Sequence, residues 1–192
     1  MKKQKTITRG LMIGRFQPFH NGHLHLSKQI LQECNELIIA IGSAQFNYIY
    51  KDPFTAGERV LMIHAALIES GIDLAKCYII PVINDENNAR WFGHLRSMVP
   101  HFDIIYSGNE FVKSLVLQES IGVKKPEFSK KNEFNGTNIR KQLAGATNTK
   151  RTKALQNWKT LVPKAVSRLI EEVDGVNRVR ILLTSESNPQ QW

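Results

Sequence analysis

The segment Gly14-Arg15-Phe16-Gln17-Pro18-Phe19-His20-Asn21-Gly22-His23 is the most informative ten residues of this 192-residue chain. It follows the apolar run Gly10 to Ile13 and precedes Leu24, Ser27, Ile30, Leu31 and Cys34, which fall at helical spacing. It therefore reads as the turn from a first strand into a first helix starting near Gly22. Two histidines three apart at a helix start can face one way, beside backbone N–H groups and the positive end of the helix dipole. That arrangement suits a phosphate chain. Gly22 between them leaves room for backbone to approach a ligand, and Arg15 adds a fixed charge with planar donors for phosphate oxygens. A histidine pair taken at random is more often loop polarity than function; the position after a strand and at a helix start reverses that preference here. Zinc binding by the pair is not expected, because no Cys or Asp lies nearby to supply a third ligand. His25, off that face, reads as ordinary surface.

Further β-rich runs, Leu37 to Ile41, Cys77 to Val82 and Ile104 to Tyr106, alternate with amphipathic stretches, which predicts parallel strands joined by helices. Thr55-Ala56-Gly57-Glu58 reads as a capping box, with Val60, Ile63, His64 and Leu67 as one face of the helix and Gly71 as its stop. An open sheet of this kind binds ligands at the carboxyl ends of its strands. Leu161 to Val173, with Pro163 near its start, reads as a closing helix. Asn148 to Lys153 reads as a polar loop, Ser185 to Trp192 as a frayed end, and Met1 to Gly10 as a tail leading into the first strand.

With 42% hydrophobic and 22% charged residues, the chain can bury one good core but is short for two full domains. Lys and Arg number 26 against 17 Asp and Glu, a net charge of +9, which favours phosphate-bearing partners. Between Ile121 and Thr160 lie ten Lys or Arg against Glu127 and Glu133. That surplus supports a rival reading as a nucleic-acid-binding module. The stretch has few aromatics, Phe128, Phe134 and Trp158, and none of the usual RNA-binding signatures, so nucleic acid is not expected to be the primary partner. Cys34 and Cys77 form neither a disulfide framework nor a zinc pattern, which fits a reducing cytoplasm. No apolar run reaches the roughly 18 residues needed to cross a bilayer.

The segment from Gly14 to His23 resembles the HxGH signature of the nucleotidyltransferase superfamily. Its wider form, GRFQPFHNGH, is similar to that of the archaeal-type nicotinamide-nucleotide adenylyltransferases. Four further segments carry the resemblance: Gly42 to Gln45, Asp52 to Arg59, Ser107-Gly108-Asn109, and Asn135-Gly136-Thr137-Asn138-Ile139-Arg140. It implies a Rossmann-like α/β fold, a parallel sheet with helices on both faces, with residues 6–145 as catalytic core and 146–192 as a small C-terminal helical extension of one domain. The implied reaction joins nicotinamide mononucleotide to the α-phosphate of ATP, giving NAD and pyrophosphate, with Mg²⁺ carried by the phosphates rather than by protein side chains. A cytoplasmic homo-oligomer, a hexamer in the family, is also implied. The closest enzymatic alternatives transfer the adenylyl group to FMN or pantetheine phosphate.

The resemblance assigns roles residue by residue. His23 stabilises charge on the transferred phosphate, His20 holds neighbouring oxygens, and Arg15 bridges substrate phosphates. Arg140 matches the arginine of a second signature, usually ISGTxIR and here FNGTNIR, in which Thr137 is expected to cap a helix. Gly14, Phe16, Gly22, Ser107, Gly108, Asn109, Thr137 and Ile139 fall on the ATP and phosphate side, the triplet after the fourth strand meeting adenosine. Lys51 stands where the family often has a phosphate-contacting arginine, which keeps charge without the bidentate fork. Asn84 stands where an aspartate is common, with Asp85 beside it; either the Asn84 amide serves the nicotinamide carboxamide or the register shifts by one. Asn88 and Trp91 complete the nicotinamide mononucleotide side, with the indole face stacking on the cationic ring. Taken alone, Trp91 and Phe92 read as core residues of a helix, and Thr55 to Arg59 as support for the loop carrying Lys51.

Overall fold

Leu37, Ile39 and Ile41 alternate with Ile38 and Ala40 along one strand, and all five are fully buried, the first three in one apolar cluster and the other two in a second. A strand dry on both sides needs cover on both sides. A computed structural model describes residues 8–116, 119, 121–127, 134–145 and 158–184 of the chain. Its strands β1 (Arg9–Gly14), β2 (Glu36–Ile41), β3 (Cys77–Pro81), β4 (Ile104–Tyr106) and β5 (Gly122–Lys124) form one parallel sheet in the order β3-β2-β1-β4-β5. Gly10 pairs with Leu37 on one side and Ile104 on the other.

Helices α1 (Asn21–Glu33) and α2 (Ala56–Glu69) cover one face together with α5 (Gly136–Leu143), α6 (Lys164–Glu172) and α7 (Gly175–Thr184). Helices α3 (Trp91–Met98) and α4 (Glu110–Val116) cover the other. The chain winds outward from β1 to β3, then crosses back to β4, so the direction of winding reverses between β1 and β4. In such sheets a crevice opens at that point beyond the strands' carboxyl ends. α1 lies directly on β1: a Cβ added at Gly10 would come within 2.4 Å of Ile30 Cγ2.

The four strands read from the sequence stand within about one residue of their expected bounds, the Thr55 to Glu58 capping box opens α2, and the histidine turn opens α1. Other expectations need correction. The buried face of α2 is Arg59, Met62, Ile63, Ala66 and Leu67, while His64 is exposed, because the face that meets the sheet is turned from the expected one. The closing helix begins at Lys164 rather than Leu161: Pro163 sits extended at its N-cap, and Leu161 and Val162 are core plugs. No expectation covered β5, a three-residue edge strand with no apolar pattern, or α7, which follows a turn at Asp174. Val166, Ile170 and Val179 of α6 and α7 are fully buried in the same cluster as the sheet. The expectations for residues 148–153 and 185–192, for residues 1–7 and for much of the basic stretch lie outside the described residues. Among the described residues, no helix is long and apolar enough to cross a membrane.

Candidate active site

His20 caps α1, and it does so reciprocally with His23: His20 Nδ1 accepts the His23 amide at 3.3 Å, and His23 Nδ1 accepts the His20 amide at 3.3 Å. The two rings stack with centroids 3.5 Å apart and 19° between planes. Phe16 meets His23 edge-on at 4.7 Å and Phe19 lies at 5.4 Å, so His23 sits among aromatic rings. Burial pushes the His20 ring down to about 3. Burial first, and then the neighbouring His20, hold His23 well below its ordinary 6.5. Both rings are therefore neutral at pH 7. An Nδ1 that accepts leaves the proton on Nε2, so each ring keeps an Nε2–H donor.

The helix end is more occupied than the sequence suggests. The Asn21 amide donates to Leu161 O at 3.0 Å, and the His23 amide is taken by the cap. The missing side chain of Gly22 is matched by protein: a Cβ there would lie 3.0 Å from Phe134 Cβ and 3.2 Å from the His20 ring. The glycine is thus explained by packing of the histidine.

Arg15, partly exposed, places Nη1 3.5 Å from Oδ1 of buried Asp52, an oxygen with no hydrogen bond. Beneath it, Arg140 donates from Nη1 to Gln17 O at 2.8 Å and from Nη2 to Thr137 Oγ1 at 3.3 Å, while its buried Nε lacks a partner. Burial, then the charge of Arg15, lower the Arg140 pKa from its ordinary value. Gln17 clasps the next loop: Gln17 Nε2 donates to Phe54 O at 2.8 Å and Phe54 N donates to Gln17 Oε1 at 2.9 Å. Arg59, fully buried, donates to the carbonyls of Arg15, Gly42, Ser43 and Thr55 at 3.0 to 3.2 Å. It ties together the loops that follow β1 and β2. Phe16 at φ 51° and Ser43 at φ 55° hold left-handed backbone in those same loops, a strain that such fastening can sustain.

Lys51 is exposed in a tight turn closed by the Asp52 amide donating to Ile49 O at 2.9 Å. Asn84, beyond β3, is held by Ser43: Ser43 N donates to Asn84 Oδ1 and Asn84 Nδ2 donates to Ser43 Oγ, both at 3.0 Å. Ser107, Gly108 and Asn109 follow β4, with Ser107 Oγ accepting the Asn109 amide at 3.1 Å. Asn88 is exposed, and Trp91 opens α3, partly buried against the second cluster. Among the described residues, no group of three His, Cys, Asp or Glu could hold a metal ion. The residues gathered around the turn after β1 are cations and N–H donors, with one carboxylate already paired.

A model of the cytidylyltransferase-like family matches residues 11–142. The chain belongs to the cytidylyltransferase-like family. A nicotinamide-nucleotide adenylyltransferase of Caldivirga maquilingensis is 44% identical over 97% of this chain and all of its own length. One from Picrophilus torridus is 43% identical over 93% of this chain and 99% of its own. Among solved structures, a bifunctional NMN adenylyltransferase/ADP ribose pyrophosphatase of Francisella tularensis, complexed with AMP and a manganese ion, aligns with TM-score 0.73 and 25% identity over 93% of this chain. This chain spans 52% of that longer one. A Plasmodium falciparum nicotinic acid mononucleotide adenylyltransferase shares the fold, with TM-score 0.56 and 14% identity over 90% of this chain and 98% of its own.

Within this cytidylyltransferase-like fold, the structure brings together His20 and His23, and Arg15, Arg140 and Thr137 with Gln17 and Asp52. Two assignments change. Asn135, not Thr137, caps α5, because its Oδ1 accepts the Asn138 amide at 2.7 Å. Ile139 spends its fully buried side chain in the core and its amide on Asn135 O, so it anchors α5 and offers neither to a ligand. The Gly14 carbonyl also supports the turn, accepting from Gly42 N at 2.9 Å. Gln17, Asp52 and Ser43 are not singled out by sequence reasoning, and Arg59, read only as support for the loop carrying Lys51, serves backbone carbonyls. Gln17 and Asp52 stand inside quoted motifs, the signal that could have found them.

Proposed function

We propose that this chain transfers the adenylyl group of ATP to nicotinamide mononucleotide, forming NAD and releasing pyrophosphate. The observation that carries the proposal is the neutral, mutually capped histidine pair in the turn that also carries Arg15 at the carboxyl end of β1, in a chain 44% identical to a nicotinamide-nucleotide adenylyltransferase. A phosphate oxygen of the mononucleotide attacks the α-phosphorus in line; the new P–O bond forms as the bond to the β-phosphate oxygen breaks, and pyrophosphate departs. The attacking oxygen is already ionised, so no general base is required. The obstacle is repulsion between two polyanions, and catalysis is positioning plus neutralisation.

The side chains divide that work. The Nε2–H of His23 donates to an α-phosphate oxygen as charge grows there, and His20 donates to a neighbouring oxygen. Their neutrality costs no proton at neutral pH. Arg15 bridges the two phosphates, Arg140 adds charge from below and offers its unpartnered Nε–H, and Lys51 contributes from the next loop. The Ser107 to Asn109 turn receives adenosine. Asn88 and Trp91 receive the nicotinamide end, with Asn84 held in place by Ser43. The donor set suits phosphate oxygens rather than a resident metal, so ATP enters as its magnesium complex, a substrate. Assembly into a homo-oligomer, hexameric in the resemblance, belongs to the same proposal, and light scattering tests it.

Pyrophosphate release from MgATP is the deciding assay, run in parallel with nicotinamide mononucleotide, nicotinic acid mononucleotide, FMN and pantetheine phosphate. Release with nicotinamide mononucleotide is the expected result. Release confined to FMN or pantetheine phosphate would overturn the acceptor, and no release with any of the four would overturn the reaction.

A further inference from the structure

Arg178 lies on α7, beyond the residues 11–142 that match the family model, yet its side chain reaches back to the loop between β2 and α2. Its Nη1 donates to Glu58 Oε2 at 2.7 Å and to Pro53 O at 3.3 Å, and its Nη2 donates to Val173 O at 3.0 Å. The guanidinium plane lies 4.8 Å over the Tyr48 ring and 5.9 Å from the Phe54 ring. Arg178 and Glu58 are each only 16% exposed, so the pair is shielded from water and salt. One side chain thus touches both ends of residues 48–54 and the capping box that opens α2.

Those residues include Lys51 and Asp52. From the other side, Gln17 of the histidine turn holds Phe54 by two hydrogen bonds. The loop is therefore gripped twice, by the phosphate turn and by the C-terminal helix. Gly175 adds to the second grip: a Cβ there would come within 2.8 Å of Phe54 Cε1 and 2.9 Å of Ile170 O, so α7 starts flush against the loop.

We infer that Arg178 is a positioning residue for nucleotide binding, through which the C-terminal helix holds Lys51 in register with the substrate phosphates. The planar fork matters more than the charge, since two of its acceptors are carbonyls and two of its contacts are ring faces. Lysine keeps the attraction to Glu58 and loses the rest. The inference rests on the ATP-binding part of the reading above and needs no acceptor.

The test is ATP affinity by titration calorimetry on folded protein, for wild type, Arg178→Lys, Lys51→Ala and the double variant, with urea midpoints for each. Arg178→Lys is expected to weaken ATP about tenfold, and this loss should shrink to within about twofold when Lys51 is already absent, the non-additivity of residues that act as a unit. A merely stabilising Arg178 would lower the urea midpoint and leave the folded protein's affinity unchanged, which would overturn the inference while leaving the proposed function standing. Equal losses in both backgrounds would overturn the inference. Failure of wild type to bind ATP would overturn the reading and the inference together. If Arg178→Lys does not fold, Tyr48→Leu, which removes a ring face under the guanidinium at a half-exposed position, is measured the same way and is expected to weaken ATP in the same direction; no change would overturn the inference.

Discussion

The ring nitrogens of His20 and His23 each accept the other residue's backbone N–H at 3.3 Å while the rings stack 3.5 Å apart. A capping box normally pairs a hydroxyl with a carboxylate. Built from two imidazoles, it fixes both tautomers and aims both remaining N–H donors away from the helix end. Capping and the proposed phosphate contact are therefore one arrangement, and loss of either ring disturbs both.

The pair makes stability depend on pH. Both rings bind protons more weakly folded than unfolded, His20 at about 3 and His23 well below 6.5. The unfolded chain therefore holds more protons below pH 6.5. Their contribution is complete above that value and is lost as pH falls toward about 3, by at most roughly 1.4 kcal/mol per pH unit for each ring. Urea midpoints should fall between neutral pH and about pH 4.5, and His20→Asn, which can still cap, should show a shallower fall. Parallel slopes for the two proteins would sink this account.

In the proposed reaction the His23 ring donates to developing charge, and its removal deletes that donor. His23→Ala is expected to lower kcat for pyrophosphate release about 100- to 1,000-fold with a small change in KM, the behaviour of a group that acts in the transition state. A pure rise in KM would instead make it a ground-state binding group.

Arg59 is fully buried and serves four backbone carbonyls. Arg59→Met leaves those acceptors dry and unpaired, and should cost about 3–5 kcal/mol in urea unfolding. Leu61→Ala, two residues away on the same helix and itself 57% exposed, should cost under about 1 kcal/mol. Similar midpoints for both variants would show that the carbonyl cluster is not held by Arg59.

In the proposed site Trp91 offers one indole face to the cationic nicotinamide ring. Trp91→Ala should raise KM for nicotinamide mononucleotide about 5- to 30-fold, the equivalent of about 1–2 kcal/mol, with KM for ATP unchanged. A parallel rise for both substrates would return Trp91 to a packing role in α3.

Gly10 sets the distance between β1 and α1. Gly10→Ala drives a methyl toward Ile30 Cγ2 and should destabilise the fold by about 1–3 kcal/mol, measured by thermal or urea unfolding. Full stability would mean that α1 can ride outward without loss.

Local sequence determined the elements that rest on near neighbours. The unbroken apolar run Leu37 to Ile41 specified a strand, Thr55 and Glu58 specified a helix start, and His20 and His23 with three-residue spacing specified a shared face at a helix end. These signals act within one helical turn or one pleat, so they are legible without the rest of the chain. Three-residue β5, with no apolar alternation, carries no such signal. Tertiary structure alone decided the partnerships: Arg140 on the Gln17 carbonyl across 123 residues, Arg178 on Glu58 across 120, Arg59 on carbonyls rather than an acid, and Asn135 in place of Thr137 as cap. A buried guanidinium or carboxamide must find acceptors wherever the packed chain leaves them, and which carbonyls those are is settled only when loops distant in sequence close over the same ends of the sheet.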